Sequence, residues 1–236
     1  MQTQQKGESN HETYRLVMEG PLKITMPPKP KVSEEELEAQ LFSYIANAPK
    51  DSQLTTIADL DDEWAEGMYP GIGGIEGLRN TIQAQIAAEQ EYAYEAMKTA
   101  LIEDALIARL EGDIPTALIE ANKAEVRYKK EAAIHEGGKS LSQYLREENI
   151  SEEDFDRKLD EETHHMVALT IALDTFSSDT QIEINENELS EYLYTDDPQG
   201  FLAELKEKNL VNEACRAAAR VAALRKLRDE AQIELA

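Results

Sequence analysis

The stretch GLRNTIQAQIAAEQEYAYEAMKTALIEDALIARLEGDIPTALIE runs from Gly77 to Glu120. Between its first glycine and Gly112 it contains neither proline nor glycine, and its apolar residues recur at helical spacing. These are Leu78, Ile82, Ile86, Ala93, Met97, Leu101, Ala105 and Ala108. The pattern predicts one amphipathic helix of roughly thirty residues, about 45 Å long, ending at Gly112. Pro115 then begins a second helix, since a first helical residue needs no N–H donor.

Composition excludes several classes of partner. The 236 residues are 41% hydrophobic, enough for a core, and carry a net charge of −24, which opposes binding to nucleic acid or to an anionic membrane surface. The first ten residues lack the apolar segment of a signal peptide, and no apolar run reaches membrane-spanning length. Cys215 is the single cysteine, so an internal disulfide is excluded. We therefore expect a cytoplasmic protein.

The N-terminal part alternates short extended and helical signals. Residues 1–12 are polar and predict a disordered tail, whereas 14–18 and 22–26 alternate apolar and polar residues and predict a small pair of strands. A proline-rich spacer follows, and Ser33 with Glu36 then forms a capping box for a helix ending near Ala48-Pro49. Residues 50–62 read as irregular, and a short segment beginning at Trp64 ends at Tyr69-Pro-Gly71.

Helix-start signals recur through the second half of the chain and predict a set of helical hairpins. The helix from Pro115 should stop at Gly137-Gly138. The later starts are Ser140 with Gln143, Ser151 with Asp154, Asn185 with Glu188, Asp197-Pro198, and a final helix from about Val211 toward Glu230.

Candidate catalytic and metal sites each have a simpler explanation. The glycine-rich segment from Pro70 to Gly77 lacks the third glycine of a dinucleotide fingerprint and follows no apolar strand, so we interpret it as a flexible turn. Glu161, Glu162, His164 and His165 contain two Glu-x-x-His spacings, but on one helix these point in different directions. Cys215 lies inside a helical pattern and reads as a small buried hydrophobe. We predict no catalytic residue, metal or cofactor.

Apolar helix faces remain as the candidate functional surface. Residues from Phe155 to Phe176 keep helical spacing, and the alanine-rich helix from Val211 predicts a face of Val211, Ala214, Ala218, Val221, Leu224 and Leu227. Most such residues belong to an ordinary core. Thin hairpins have little interior, however, so we expect some apolar side chains to stay exposed to a partner.

Several segments resemble the C-terminal body of trigger factor, the bacterial folding chaperone. The strongest are Gly77-Leu-Arg-Asn80 with the long helix and Asp113-Ile-Pro-Thr-Ala-Leu-Ile-Glu120. Residues 60–64 resemble its entry segment, residues 155–176 the helix that links its arms, residues 185–189 and 197–223 its last arm, and residues 20–37 its linker. The resemblance covers roughly residues 13–232.

The resemblance implies a mainly helical, elongated body with a long spine helix, two helical-hairpin arms and a short N-terminal strand segment. It divides 13–236 into a linker and helix (13–49), a connector and spine (50–112), a first arm (113–176) and a second arm (177–236). The family's ribosome-docking motif, Gly-Phe-Arg-x-Gly-Lys-x-Pro, is not found, and only a few residues stand between Pro49 and Leu54, where its prolyl-isomerase domain would fall. Ribosome docking and isomerase activity are therefore not expected.

The predicted function is that of an ATP-independent holdase, not an enzyme, which binds unfolded or nascent polypeptides in a cradle between the arms. The alternative is a scaffold protein dedicated to one folded partner, and a homodimer stays open. The residues expected to contact clients are Met166, Leu169, Leu173, Phe176, Leu193, Tyr194, Phe201 and Leu205.

Overall fold

The computed structural model describes residues 14–47, 54–193 and 195–236. Within these ranges it contains eight α-helices and four short β-strands, so the prediction of a mainly helical chain is confirmed. The helices are α1 (Glu34–Ala46), α2 (Asp62–Met68), α3 (Gly74–Ile107), α4 (Thr116–Glu136), α5 (Leu141–Glu147), α6 (Glu152–Asp179), α7 (Pro198–Glu207) and α8 (Val211–Glu230). The strands are β1 (Tyr14–Leu16), β2 (Lys23–Met26), β3 (Leu110–Gly112) and β4 (Gln232–Leu235). The predicted disordered tail lies outside the described residues. So do Ala48 and Pro49, where the sequence predicts the end of the helix that Ser33 caps; in the structure this helix, α1, ends at Ala46.

The chain divides into two compact units. The large unit contains the described residues up to Ile24 together with Leu101–Ile233, and the small unit contains Thr25–Ala100 with Glu234–Ala236. The long helix α3 contributes its first 27 residues to the small unit and its last seven to the large one.

Helix starts follow the predicted capping chemistry. Ser33 and Ser140 each form a capping box, in which the serine hydroxyl accepts a backbone N–H and the Glu36 or Gln143 side chain accepts the serine N–H. Ser151 caps α6 and Asp197 caps α7 through a side-chain oxygen alone, which accepts the N–H of Asp154 or Gly200, and Pro198 takes the first position of α7. These four predicted starts are confirmed.

The predicted pairing of the two N-terminal strands is wrong. β1 pairs antiparallel with β3, so that Tyr14 lies opposite Gly112, and β2 pairs with β4. The alternation within β2 is nevertheless as predicted, because Ile24 and Met26 are buried between exposed Lys23 and Thr25. Buried and exposed residues alternate in β2 as predicted, but β1 and β2 pair with strands from distant parts of the chain.

The end of the spine helix also differs from its prediction. α3 stops at Ile107, five residues before Gly112, because the chain turns into β3. Arg109 fixes this turn: its carbonyl accepts the Val17 N–H at 2.9 Å, and its guanidinium donates to the Gly20 and Pro21 carbonyls at 2.6 and 2.8 Å. A contact with residues some ninety positions away therefore ends the helix.

Each unit has its own core. In the small unit, buried residues of α1 and the first half of α3 pack around Leu60; the cluster is Leu37, Leu41, Leu60, Leu78, Ile82 and Ile86. In the large unit, α6 runs through the centre and packs against both α4 and α8. On α3 the buried residues of this unit are Ile102 and Leu106, whereas the predicted Leu101 and Ala105 are only half-buried.

Candidate polypeptide-binding surface

Helix α6 positions the candidate surface. Its 28 residues span about 42 Å. Its buried stripe includes Phe155, Leu159, Val167 and Ile171, which are at most 7% exposed. Thr163 in the same stripe is fully buried, and its hydroxyl donates to the Leu159 carbonyl at 2.7 Å, so this polar group is satisfied within the helix.

Opposite charges line the contact between α4 and α6. Cations of α4 meet carboxylates of α6, and the Arg127 guanidinium also lies 5.7 Å from the centre of the Phe155 ring. The ion pairs are Lys123–Asp160 at 2.5 Å, Arg127–Asp156 at 2.6 Å and Lys130–Glu162 at 3.0 Å. All six side chains are partly exposed, so each pair contributes little to stability but helps to set the position of one helix on the other.

Small residues allow α8 to lie against α6. Ala218, Ala219 and Ala223 are buried, with Leu227 one turn further along. Arg220 pairs with Asp174 of α6 through two hydrogen bonds. Ala218 and Leu227 are thus buried as predicted, whereas Val221, expected on the same apolar face, is 38% exposed.

The segment that precedes α7 is irregular, where the sequence predicts an α-helix. Asn185 forms the predicted cap, because its side chain accepts the Asn187 and Glu188 N–H groups. Only a short 3-10 helix, Leu189–Tyr192, follows it, in place of the expected α-helix. Lys206 of α7 pairs with Glu186 at 2.6 Å and ties α7 to this turn.

The predicted contact residues separate into two groups. Leu173 and Phe176 are 6% and 5% exposed, so they form part of the core in this structure. Met166, Leu169, Leu193 and Leu205 are half-buried, and Phe201 is 42% exposed. Tyr194 lies outside the described residues. The accessible part of the predicted surface is therefore centred on α7, with contributions from α6.

Other exposed apolar side chains of the large unit were missed by the sequence prediction. Tyr128 and Leu118 on α4 are 73% and 39% exposed. Tyr128 follows buried Val126 by two positions, which turns it about 200° around the helix. A helical projection around Val126 would have placed this tyrosine on the outer face. The small unit has its own exposed apolar residues, Phe42, Met68, Tyr69, Tyr92 and Met97.

A groove of 680 Å³ lies beside α6 and α8 in the large unit. Its lining is mixed in polarity and consists of Asp174, Ser177, Ser178, Ile182, Glu183, Ile184, Cys215, Arg216 and Ala219. Burial raises the pKa of the Cys215 thiol, and the nearby negative charge of Glu186 acts in the same direction. The thiol is therefore the neutral form at neutral pH, which does not favour nucleophilic chemistry.

The glycine-rich turn binds a carboxylate of the protein itself. Glu66 accepts the N–H groups of Gly71, Gly73 and Gly74 at 2.8, 2.8 and 3.0 Å, and these bonds, led by that from Gly71, lower its pKa. The backbone donors that would hold a phosphate group are thus already satisfied. The segment predicted to be a flexible turn is held by this carboxylate.

The side chains of the two Glu-x-x-His spacings have separate partners. Glu161 lies 3.3 Å from Arg157, Glu162 pairs with Lys130, and His165 Nδ1 lies 3.7 Å from Asp104 Oδ1. Among the residues that the structure describes, no group of three or more His, Cys, Asp or Glu side chains is arranged to hold a metal ion. Likewise, no helix in these ranges is long and apolar enough to span a bilayer.

A family model described as the C-terminus of the bacterial trigger factor protein matches residues 74–196, just over half of the chain. This chain belongs to the trigger factor C-terminal family. The family match confirms the resemblance, and it includes α3 to α6 and the segment leading to α7.

Curated relatives extend the match beyond that region. The trigger factor of Nocardioides sp. is 23% identical to this chain over 188 residues, and that of Corynebacterium glutamicum is 24% identical over 184 residues. These alignments cover 77% and 74% of this chain but 40% and 39% of the relatives. The chain therefore spans about two fifths of the length of the curated relatives it matches.

The chain also aligns with solved structures. Domains of trigger factor from Thermotoga maritima give a TM-score of 0.44 at 18% identity, covering 60% of this chain and 85% of that one. A hypothetical Mycoplasma protein gives a TM-score of 0.45 at 9% identity, covering 97% of this chain and 94% of that one. The family assignment itself rests on the sequence match.

Proposed function

We propose that this chain is an ATP-independent chaperone that holds unfolded or partly folded polypeptides and has no prolyl-isomerase activity. The family supports the general role, and the observation that carries the proposal is Phe201, 42% exposed on α7 beside half-buried Leu205. The compartment we propose is the cytoplasm.

The proposed mechanism is weak and multivalent. Phe201, Val221 and Tyr128 lie on three helices of the large unit, so an unfolded chain can bury apolar groups at several separate points. Each contact buries little area, and the client loses conformational freedom on binding, so no single contact holds it. Release then needs no energy source. The proposed client surface is Met166, Leu169, Leu193, Phe201 and Leu205, with Val221 and Tyr128 added from the structure.

Charge substitution at exposed positions tests this proposal. The variant Phe201→Asp, alone and with Tyr128→Asp, should fold as the wild type does, because both side chains are exposed. We expect it to lose most of the suppression of aggregation measured with several unrelated client proteins. Gln199→Asp is the matched control, since it adds the same charge at an exposed position on the same helix.

Circular dichroism and thermal melting establish that each variant is folded. Unchanged suppression by folded Phe201→Asp and Tyr128→Asp variants would contradict the proposal. Activity toward a single stoichiometric partner, with none toward the unrelated clients, would instead indicate the scaffold protein of the alternative prediction.

A further inference from the structure

The segment that follows α6 has the pattern of a β-strand without a partner. α6 ends at Asp179, Gln181 then has a φ of 56°, and residues 182–185 follow without turn or bend. Ile182 and Ile184 are half-buried and Glu183 between them is exposed, which is the alternation of a strand at a surface. Both strand pairs in the described part of the chain lie elsewhere.

Hydrogen bonds at the two ends of this segment leave its middle unpaired. The Ile182 N–H donates to the Ser177 carbonyl at 2.8 Å, and the Asn185 N–H donates to Glu188 Oε2 at 3.0 Å. Within the described ranges, the backbone N–H and C=O groups of Glu183 and Ile184 have no hydrogen-bond partner. An unpaired strand edge of this kind is a template for another extended chain.

Successive residues of a strand present their backbone groups to opposite edges. Ile182 and Ile184 share one edge, and Ile182 uses it to bond the last turn of α6. Glu183 presents its N–H and C=O to the other edge. An antiparallel strand can exchange both bonds with one residue there, as in a hydrogen-bonded pair.

The groove beside the segment provides the space. Residues 182–184 form part of the lining of this groove. The groove volume of 680 Å³ lies in the range of ligand pockets. A strand of four residues paired with the segment would extend over about 13 Å. Asp174 is neutralised by Arg220, whereas Glu183 and Arg216 have no ion pair among the described residues. A strand that places a cation opposite Glu183 is therefore complementary in charge to this position.

We propose that an extended segment of a client polypeptide adds to residues 182–185 as an antiparallel β-strand, pairing with the backbone of Glu183. This inference rests on the proposed function and specifies one mode of recognition within it. Because the contacts are to the backbone, such a site accepts many sequences, and the cross-strand charge selects only weakly among them.

The natural Cys215 reports on the groove without any change to the chain, because it lines the groove and is the single cysteine. The probe is a capped, cysteine-free eight-residue peptide that alternates valine and lysine. We expect the peptide to slow the reaction of Cys215 with a thiol reagent in the intact 236-residue chain, in a concentration-dependent manner. An unchanged rate at peptide concentrations that saturate binding would overturn the proposal.

Backbone methylation of the peptide tests the hydrogen bonds directly. N-methylation at every lysine removes the donor opposite the Glu183 carbonyl, and we expect the affinity to fall by about tenfold or more. N-methylation at every valine leaves that edge intact and should preserve binding. Equal affinity of the two methylated peptides would contradict strand pairing at Glu183.

The matched protein variants are Glu183→Pro and Glu183→Ala. Both remove the carboxylate, but only proline removes the N–H. Among the described residues that N–H has no partner, so Glu183→Pro breaks no hydrogen bond there, and thermal melting establishes that each variant is folded. We expect Glu183→Pro to bind the peptide at least about tenfold more weakly than Glu183→Ala. Equal binding by the two folded variants would exclude the proposed pairing.

The same measurements separate this inference from the proposed function. If the wild type suppresses client aggregation while Cys215 stays unprotected and Glu183→Pro binds normally, the strand-addition site is wrong and the holdase function stands. If the wild type neither suppresses aggregation nor binds the peptide, the proposed function itself fails.

Discussion

Arg220 of α8 and Asp174 of α6 meet side by side, with Nε 2.6 Å from Oδ1 and Nη2 3.0 Å from Oδ2. This two-bond geometry fixes the rotation of α8 where its alanine face meets α6. Asp174 also borders the groove, so the pair links the packing of the helices to the shape of the proposed binding site.

Replacement of Arg220 by lysine should destabilise the protein slightly, because a lysine cannot make both bonds. The two side chains are 31% and 46% exposed, so the expected loss in the free energy of unfolding is about 0.5–1 kcal/mol, as measured by urea denaturation. Lys226→Gln is the control, since Lys226 and Glu230 form an exposed pair at 3.6 Å. An equal effect of both substitutions would show that the two-bond geometry contributes nothing.

Two carboxylates of the small unit, Glu66 and Asp59, should make its stability decrease at acid pH. The pKa of Glu66 lies below its usual 4.5, and backbone N–H groups of Thr55 and Thr56, with both hydroxyls, lower the pKa of Asp59 from 3.8 to about 2. Folded-state pKa values below the unfolded ones mean that this stability is present above pH 4.5 and is lost as the pH falls toward 2.

The variant Glu66→Gln tests the contribution of the glycine-rich turn. We expect a lower melting temperature than that of the wild type at pH 7 and a smaller difference at pH 3, because the wild-type carboxylate is increasingly protonated there. The measurement is thermal unfolding at both values of pH. A difference that does not change with pH would assign the effect to something other than the charge of Glu66.

Two substitutions on α3 should differ widely in cost. Leu106 is fully buried, so Leu106→Ala should lower the free energy of unfolding by about 2–5 kcal/mol. Met97 is 45% exposed on the same helix, and Met97→Ala should stay within about 0.5 kcal/mol of the wild type. Chemical denaturation of both variants measures the contrast, and a large loss for Met97→Ala would mean that this side chain is covered in solution.

The N-cap of α6 should be worth about 1 kcal/mol. Ser151 Oγ accepts the Asp154 N–H at 3.0 Å, so Ser151→Ala leaves that donor without its partner. Ser151→Asp keeps an acceptor at this position and should retain most of the stability. Urea denaturation of the pair measures the cap, and similar losses in both would show that the serine acts through something other than its hydrogen bond.

Local hydrogen-bonding signals explain why many helix boundaries could be predicted. Ser33, Ser140, Ser151 and Asp197 each cap a helix through a donor within three residues, so the chemistry is complete within a short segment. Asn185 shows the limit of this argument. Its cap forms as predicted, but the cap sets only the first turn, and the chain then follows tertiary contacts into a 3-10 helix.

The choice of buried face could not be made from spacing alone. On the last turns of α3, Leu101 with Ala105 and Ile102 with Leu106 satisfy the same helical periodicity, and one residue turns the face by about 100°. The elements that pack against α3 select Ile102 and Leu106. On α6, packing likewise covers Leu173 and Phe176, two of the predicted contact residues.

Apolar spacing, caps and charge were enough to establish a mainly helical chain, its long spine helix and its family resemblance, because these properties depend on residues within a few positions of one another. Folding in three dimensions settled which strands pair, since Tyr14 and Gly112 are brought together only by the complete fold. It also determined that Phe201 is exposed and that the Glu183 backbone has no partner in the part of the chain that the structure describes, because burial and hydrogen-bond satisfaction depend on neighbours that are distant in the chain.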